Sequence, residues 1–142
     1  MAHPRPQNLS KEQRDRLVTQ LKDLLQGRNE VLLAVLHGSF LTGGPFRDVD
    51  IALLLDSNSI GREAFRNYEL EQGVRWSLDL GIPIDVRLLN DAPVTFCYHA
   101  LKGTVLVVKD KNALDELRAR TWDDYFDFAP FARRYLREVM SD

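Results

Sequence analysis

The sequence has little cysteine, no long apolar run and no strong excess of charge of either sign. Its one cysteine, Cys97, cannot form a disulfide within the chain and suits a reducing compartment, so we expect a cytoplasmic protein. A formal net charge of −2 does not supply the broad basic surface that tracks a nucleic-acid backbone, so we expect no direct DNA binding. No stretch reaches the length of a membrane span, and the first residues lack the apolar region of a signal peptide.

The composition is that of one ordinary globular domain. Of the 142 residues, 44% are hydrophobic and 28% are charged, and a chain of this length buries about two thirds of its unfolded surface. Residues 1–9 are polar and contain proline, which predicts a disordered N-terminus. Residues 10–142 are predicted to form a single domain that includes a helical C-terminal segment.

The order of helical and extended patterns predicts a small α/β (α+β) domain. A helix is expected between the N-cap Ser10 and Gly27, followed by strands over 31–36, 49–55, 84–89 and 105–108. Helices are expected over 62–79 and 92–102 and across the last 30 residues, with a break near Pro130. In the second helix Phe65, Leu70, Val74 and Leu78 are the side chains available for burial. The predicted architecture is a small mixed sheet with helices packed mainly on one side.

Two carboxylates enter a buried strand just after a Gly-Ser turn. Asp48 and Asp50 are two residues apart and therefore project to the same side, with Cα atoms roughly 6–7 Å apart. Two acids at the mouth of a buried strand repel each other unless a cation lies between them, and carboxylate oxygens suit Mg²⁺. The turn at Gly38 and Ser39 offers backbone N–H groups and a hydroxyl to a phosphate. A lone Asp-x-Asp is usually a solvated strand end, but this combination favours a magnesium–triphosphate site.

This segment resembles the signature of the DNA polymerase beta-like nucleotidyltransferases, especially the minimal nucleotidyltransferase (MNT) subfamily. Gly38, Ser39, Gly43, Asp48 and Asp50 match the pattern position by position. The chain departs from it in two respects. Its spacer of eight residues before Asp48 is shorter than the usual form, and Arg47 stands where serine is common.

The family also uses a third carboxylate from a neighbouring strand. Residues 84–88 alternate apolar and polar side chains, which puts Asp85 on one face with Arg87 and makes Asp85 the natural candidate, although Asp79 and Asp91 lie near. The resemblance therefore implies that Asp48, Asp50 and Asp85 are catalytic residues and metal ligands. The implied cofactor is Mg²⁺, in a two-metal site, and the implied substrate is ATP. By the same resemblance Gly38, Ser39, Gly43 and Arg47 bind the nucleotide.

Other polar residues near the motif allow more than one interpretation. The candidates for further triphosphate contacts are Arg47, Arg62, Arg66 and Arg87, and the sequence does not choose among them. His37 either acts as a spacer at the sheet edge, which we favour, or touches the nucleotide.

The C-terminal segment is rich in aromatic residues: Trp122, Tyr125, Phe126, Phe128, Phe131 and Tyr135. We expect them to pack the terminal helix onto the sheet or the preceding helix; the alternative is a docking face. The segment from Tyr125 to Pro130 also resembles the tail of MNT proteins encoded beside HEPN partners.

The resemblance implies an antitoxin that transfers AMP from ATP to a hydroxyl, expected to be a tyrosine, on a partner HEPN ribonuclease toxin. A hetero-oligomer with that toxin is then expected. Two alternatives stay open. The protein neutralises its partner by occlusion without catalysis, or it is a small-molecule nucleotidyltransferase resembling the aminoglycoside-modifying enzymes.

Overall fold

The structure, a computed structural model, describes residues 6–140 and contains one mixed four-stranded sheet and four α-helices. The strands are β1 Val31–His37, β2 Val49–Leu55, β3 Ile84–Leu88 and β4 Thr104–Val108. The helices are α1 Lys11–Gln26, α2 Phe65–Leu80, α3 Val94–Ala100 and α4 Lys111–Met140. Short 3-10 turns cover Ser39–Thr42 and Arg62–Ala64. Among these helices none is long and apolar enough to cross a membrane.

The sheet has the order β3-β2-β1-β4, with β2 and β3 parallel and the other pairs antiparallel. The predicted mixed sheet and the α+β class are confirmed. The predicted layering is wrong, because helices cover both faces of the sheet. Leucines of α1 and Trp76 of α2 pack on one face, and α3 and α4 pack on the other against Leu33, Val35 and Ala52. Strands buried on both faces have few polar positions, which is why β1 and β2 are almost continuously apolar.

The N-terminal helix begins where the sequence predicts. Ser10 accepts a hydrogen bond from the backbone N–H of Gln13, whose side chain accepts one from the Ser10 N–H, completing a capping box. Leu17, Leu21 and Leu25 are buried, as their spacing predicts. Of the N-terminal segment predicted to be disordered, residues 1–5 lie outside the described residues, and Gln7 forms a backbone bridge with Phe46.

The buried face of α2 differs from the one expected. Leu70, Val74 and Leu78 are 60%, 63% and 78% exposed, whereas Tyr68, Gln72 and Trp76 are buried. A further row of α2 lies along the open edge of β3. Glu69 accepts a hydrogen bond from the Leu88 N–H at 2.9 Å, and Ser77 accepts one from the Ile84 N–H at 2.8 Å. The helix thus satisfies backbone donors that an edge strand would otherwise expose.

The two later helices also differ from the sequence predictions. Helix α3 is shorter than expected and begins after Pro93, while Asp91 adopts a left-handed conformation with φ 57° instead of capping it. Helix α4 is continuous through Pro130. The aromatic residues of α4 divide into two groups. Tyr125 stacks on Tyr98 of α3 with ring centroids 3.6 Å apart, but Phe126, Phe128, Phe131 and Tyr135 are exposed, so the expected packing of these four is wrong.

Candidate active site

Side chains from three adjacent strands meet on one face near one end of the sheet. His37 of β1 is the register partner of Asp50 of β2, and Asp50 is the register partner of Asp85 of β3. Register partners on neighbouring strands have adjacent side chains, and Asp48 joins them because it lies two residues before Asp50. Asp48, Asp50 and Asp85 each offer a carboxylate oxygen, and these oxygens all lie within 4.8 Å of one another.

The crowding of these acids changes their protonation. Burial, the charges of Asp48 and Asp85 and a hydrogen bond with Asp85 raise the pKa of Asp50 to about 7, and Arg87 opposes the rise. Near neutral pH the group therefore retains a proton on Asp50 in a large fraction of molecules when no cation is bound. A cation bound by the three carboxylates would displace that proton.

The donor set fits a hard divalent cation. All three residues are half-buried, and each supplies oxygen, the ligand atom that Mg²⁺ and similar ions prefer. Side chains alone do not complete an octahedral shell. Positions would remain for water and for phosphate oxygens of a substrate, which is the usual manner of binding Mg²⁺.

The turn before these acids depends on Gly38. Its φ of 83° lies in the left-handed region, and a Cβ built there would overlap the Asp50 carboxylate. Glycine is therefore needed both for the backbone conformation and for the close approach to Asp50. Ser39 begins the following 3-10 turn and is exposed, and Gly43 ends that turn with φ 82°.

An arginine from α1 holds the short spacer in place. Arg14 donates hydrogen bonds to the carbonyl oxygens of Phe40 at 2.7 Å and Gly44 at 2.5 Å. Its guanidinium also lies 4.9 Å and 5.1 Å from the ring centroids of Phe40 and Phe46. Arg14 was not predicted to belong to the site, since nothing in the local pattern links a helical arginine to carbonyls about 30 positions later.

The candidate arginines occupy different environments. Arg87 lies 4.0 Å from Asp85 and over the ring of Phe96. Together with Arg66 these residues line a groove of about 560 Å³ between α2, β3 and α3. Arg62 instead pairs with Asp91 at 2.9 Å, and Arg47 is exposed on the spacer.

His37 and the two rival acids also have defined positions. The ring of His37 contacts Phe96 edge-to-face, and its Nε2 is buried with no hydrogen-bond partner among the described residues. Burial lowers the pKa of His37, although Asp85 and Asp48 oppose this. Because β1 lies inside the sheet, the expected position at the sheet edge is wrong. Asp79 is exposed on α2, and neither it nor Asp91 belongs to the carboxylate group.

Comparison with protein-family models shows the family to which the chain belongs. The model described as "Polymerase beta, Nucleotidyltransferase" matches residues 19–112, which cover two thirds of the chain and all three acids. The chain belongs to this nucleotidyltransferase family. No curated protein matches this nucleotidyltransferase.

Solved structures share its fold at low sequence identity. One is a chain of the complex of a tri-AMPylated Shewanella oneidensis HEPN toxin with an MNT antitoxin. It has 18% identity and a TM-score of 0.69, with 90% of this chain and 99% of that chain covered. Another is a chain of a toxin–antitoxin complex with AMP-PNP, with 18% identity, a TM-score of 0.66, and 94% and 100% covered. These likenesses establish the fold over nearly the whole length of both chains.

Proposed function

We propose that this nucleotidyltransferase transfers AMP from ATP to a hydroxyl group, expected to be a tyrosine, of a HEPN toxin and so acts as an antitoxin. The observation that carries the proposal is the convergence of three carboxylates beside a Gly-Ser turn. The similarity to chains of toxin–antitoxin complexes, one with an AMPylated toxin and one with an ATP analogue, supports the choice of partner and nucleotide. The single buried, unpaired Cys97 is compatible with the cytoplasm, where such a partner would be met.

In this proposal Asp48, Asp50 and Asp85 hold Mg²⁺. The bound ions would stabilise negative charge on the attacking and leaving oxygens. Asp85 also accepts the proton of the attacking hydroxyl, because it lies at the side of the group that faces the groove. The hydroxyl oxygen bonds to the α-phosphorus as the bond to the β-phosphate oxygen breaks, and pyrophosphate leaves.

The turn and its flanking residues bind the nucleotide. Ser39 offers a hydroxyl, and the glycines Gly38 and Gly43 let the backbone approach the phosphates closely. Arg47 is exposed at the same loop and would contact the triphosphate as a cation. AMP added to the toxin contributes bulk and negative charge, which would oppose RNA binding at its active site.

Transfer of label tests the proposal. The purified protein, Mg²⁺, ATP labelled at the α-phosphate and a cognate HEPN toxin are expected to give labelled toxin. Asp48→Asn and Asp50→Asn should each reduce the transfer by at least about 100-fold, while the exposed Asp79→Asn serves as the matched control. Full transfer by both of the first two variants would contradict the proposed roles.

Intact-mass measurement of the co-expressed toxin separates catalysis from occlusion. Transfer predicts mass increases in multiples of one AMP unit, lost in the Asp50→Asn variant. A neutralised toxin of unchanged mass would support occlusion instead. Label found on a small hydroxyl compound and never on protein would support a small-molecule acceptor.

A further inference from the structure

A half-buried phenylalanine lies beside the carboxylate group. Phe96 belongs to α3, which packs on the sheet face that includes Ala52. Asp50 is two residues before Ala52 and therefore projects from the same face. Arg87 lies 4.0 Å from Asp85, and its guanidinium lies 5.7 Å from the centroid of the Phe96 ring. The ring, the guanidinium and the Asp85 carboxylate therefore border one space.

Contacts with the body of the protein hold this ring in place. The His37 ring meets Phe96 edge-to-face with centroids 5.6 Å apart, an arrangement that aromatic pairs favour. Phe96 also packs against the hydrophobic cluster that contains Cys97 and Ala100. With β1 on one side and its own helix on the other, the ring forms a supported wall beside the carboxylates.

The space beside this wall is the groove between α2, β3 and α3. Asp85, Arg87 and Phe96 all line it, and its volume is about 560 Å³. Leu70 and Pro93 add apolar surface. A volume of this size suits one small ligand or one large side chain, and it is too small for a folded domain. The groove therefore fits a side chain that a partner protein inserts.

The order of strands separates this groove from the nucleotide-binding turn. Strand β2, which carries Asp50, lies between β1 and β3, and the turn at Gly38 and Ser39 follows β1. Strand β3, which carries Asp85, borders the groove on the other side of β2. A nucleotide whose phosphates contact the turn and the metal would leave the groove open, so the attacking group would enter from the groove.

We propose that Phe96 and Arg87 form an acceptor subsite that selects an aromatic hydroxyl. The phenol ring of a tyrosine of the partner packs against Phe96 and the Arg87 guanidinium, and its hydroxyl meets Asp85. The phenolic oxygen bonds to the α-phosphorus as the bond to the β-phosphate oxygen breaks, its proton passes to Asp85, and pyrophosphate leaves. This inference rests on the proposed transfer to a HEPN toxin and adds the two residues that determine which hydroxyl reacts.

The chemistry of the wall favours an aromatic acceptor over an aliphatic one. Aromatic rings attract one another and attract guanidinium groups, beyond the effect of the area that they bury. Arg87 beside the hydroxyl would also stabilise the negative charge that develops on the phenolic oxygen. A serine in the same place would leave both the Phe96 ring and the guanidinium without a partner.

Steady-state transfer to a cognate HEPN toxin tests the two residues. Phe96→Leu should lower kcat/KM for the toxin about 10-fold and leave the KM for ATP unchanged, because only the acceptor meets the ring. Phe96→Tyr keeps the ring and should restore the transfer. Mg²⁺–ATP binding by calorimetry shows that each variant is folded. A KM for ATP that rises with Phe96→Leu would place the nucleotide at Phe96 and overturn the proposal.

Arg87 has a matched control on α2. Arg87→Met should also lower kcat/KM for the toxin about 10-fold, since the cation is lost and the length of the side chain is kept. Arg75→Met alters an arginine whose side chain is 56% exposed, against 61% for Arg87, and should leave both constants unchanged. Equal effects of the two substitutions would overturn the role of Arg87.

A change of acceptor tests the selection itself. When serine replaces the modified tyrosine of the toxin, transfer by the wild-type protein should fall at least about 100-fold in long incubations with excess enzyme. Phe96→Leu should reduce transfer to the tyrosine form and leave transfer to the serine form unchanged. An equal reduction with both acceptors, or equally fast transfer to serine, would overturn the proposal.

Failure of this inference is distinguishable from failure of the proposed function. If the wild-type protein labels no toxin at all, the proposed function is contradicted. If it labels the toxin, and Phe96→Leu and Arg87→Met label it as fast, the function stands and the acceptor subsite is refuted. Label mapped by peptide mass spectrometry to serine or threonine of the natural toxin would also refute the subsite.

Discussion

At Asp50, both burial and the neighbouring negative charges oppose ionisation of the carboxyl group. It is partly buried, faces two other carboxylates and has a pKa raised to about 7. Such a group is poorly accommodated as an anion in the absence of a cation. This repulsion among the carboxylates favours binding of a divalent ion, because the positive charge of the ion offsets the negative charges of the carboxylates.

The stability of the metal-free protein is predicted to depend on Asp50 and on pH. The folded-state pKa of Asp50 lies above its ordinary value of 3.8, so the contribution of Asp50 favours folding most below about pH 3.8 and is lost progressively as the pH rises from there to about 7. Asp50→Asn removes this loss. In urea unfolding with a chelator at pH 8 the variant should be more stable by about 1–2 kcal/mol, reduced from the full shift because the group is partly solvated.

The same measurement at pH 4 supplies the control: Asp50 is then neutral in the folded wild type and only partly ionised in the unfolded chain, so most of the difference should disappear. A variant that is less stable than the wild type at pH 8 would show that the carboxylates are not in electrostatic conflict.

Gly38 is predicted to tolerate no side chain. Gly38→Ala introduces a Cβ at a φ of 83° and against the Asp50 carboxylate, and should lower the free energy of unfolding by about 2–3 kcal/mol. Gly44→Ala is the matched control in the same loop, because no atom lies within 4 Å of its added Cβ. Thermal unfolding distinguishes them, and equal midpoints for the two variants would contradict the described turn.

Candidate site residues that lie within a local sequence pattern could be identified from the sequence. Residues whose hydrogen-bond partners lie far away in the sequence could not. Gly38, Asp48 and Asp50 lie within one short segment, and the alternation around Asp85 indicated its face. Arg14 and Glu69 act on backbone groups 19 to 30 positions away, and no periodicity reveals such partners.

At the scale of elements, the spacer between β1 and β2 is a short loop that is held in place by hydrogen bonds from helix α1. Its own sequence supplies a 3-10 turn that ends at Gly43, and α1 supplies the guanidinium that binds one carbonyl within that turn and one just after it. The shortened spacer is therefore compatible with an ordered phosphate-binding turn. Its geometry depends on a contact between α1 and the loop.

Removing that contact is predicted to affect nucleotide binding more than chemistry. Arg14→Ala leaves two carbonyls without their donor and loosens the turn that carries Ser39, so the KM for ATP should rise about 10-fold with a smaller change in kcat. Arg16→Ala, on the exposed side of α1, is the control. Steady-state transfer rates measure both constants. An unchanged KM in Arg14→Ala would show that the turn needs no support from α1.

The ends of helices and strands were predicted better than the side of each helix that is buried. The limits of β2 agree with the prediction, and α1 ends beside Gly27 as expected. In α2, however, Leu70, Val74 and Leu78 have the same spacing of four as the buried residues Tyr68, Gln72 and Trp76. Periodicity alone cannot decide between two such rows, because the choice is made by the shape of the sheet surface. Pro130 likewise failed to end α4.

At the scale of the whole molecule, the sheet is enclosed by helices on both faces and the carboxylates lie at one end of it. The parallel pairing of β2 and β3 brings Asp50 and Asp85 into register, although they are 35 positions apart in the sequence. Topology, more than any single motif, assembles the site. This arrangement could be predicted only through a family resemblance, because local sequence patterns do not determine the order of strands in a sheet.

Calorimetric titration with Mg²⁺–ATP tests the central claim, that Asp48, Asp50 and Asp85 together form a metal–nucleotide site. The wild-type protein is predicted to bind, and Asp85→Asn to weaken binding at least about 10-fold because one of three anionic ligands is lost. Asp79→Asn, an exposed acid outside the group, should bind as the wild type does. No uptake by the wild type, or equal weakening by the two substitutions, would contradict the account.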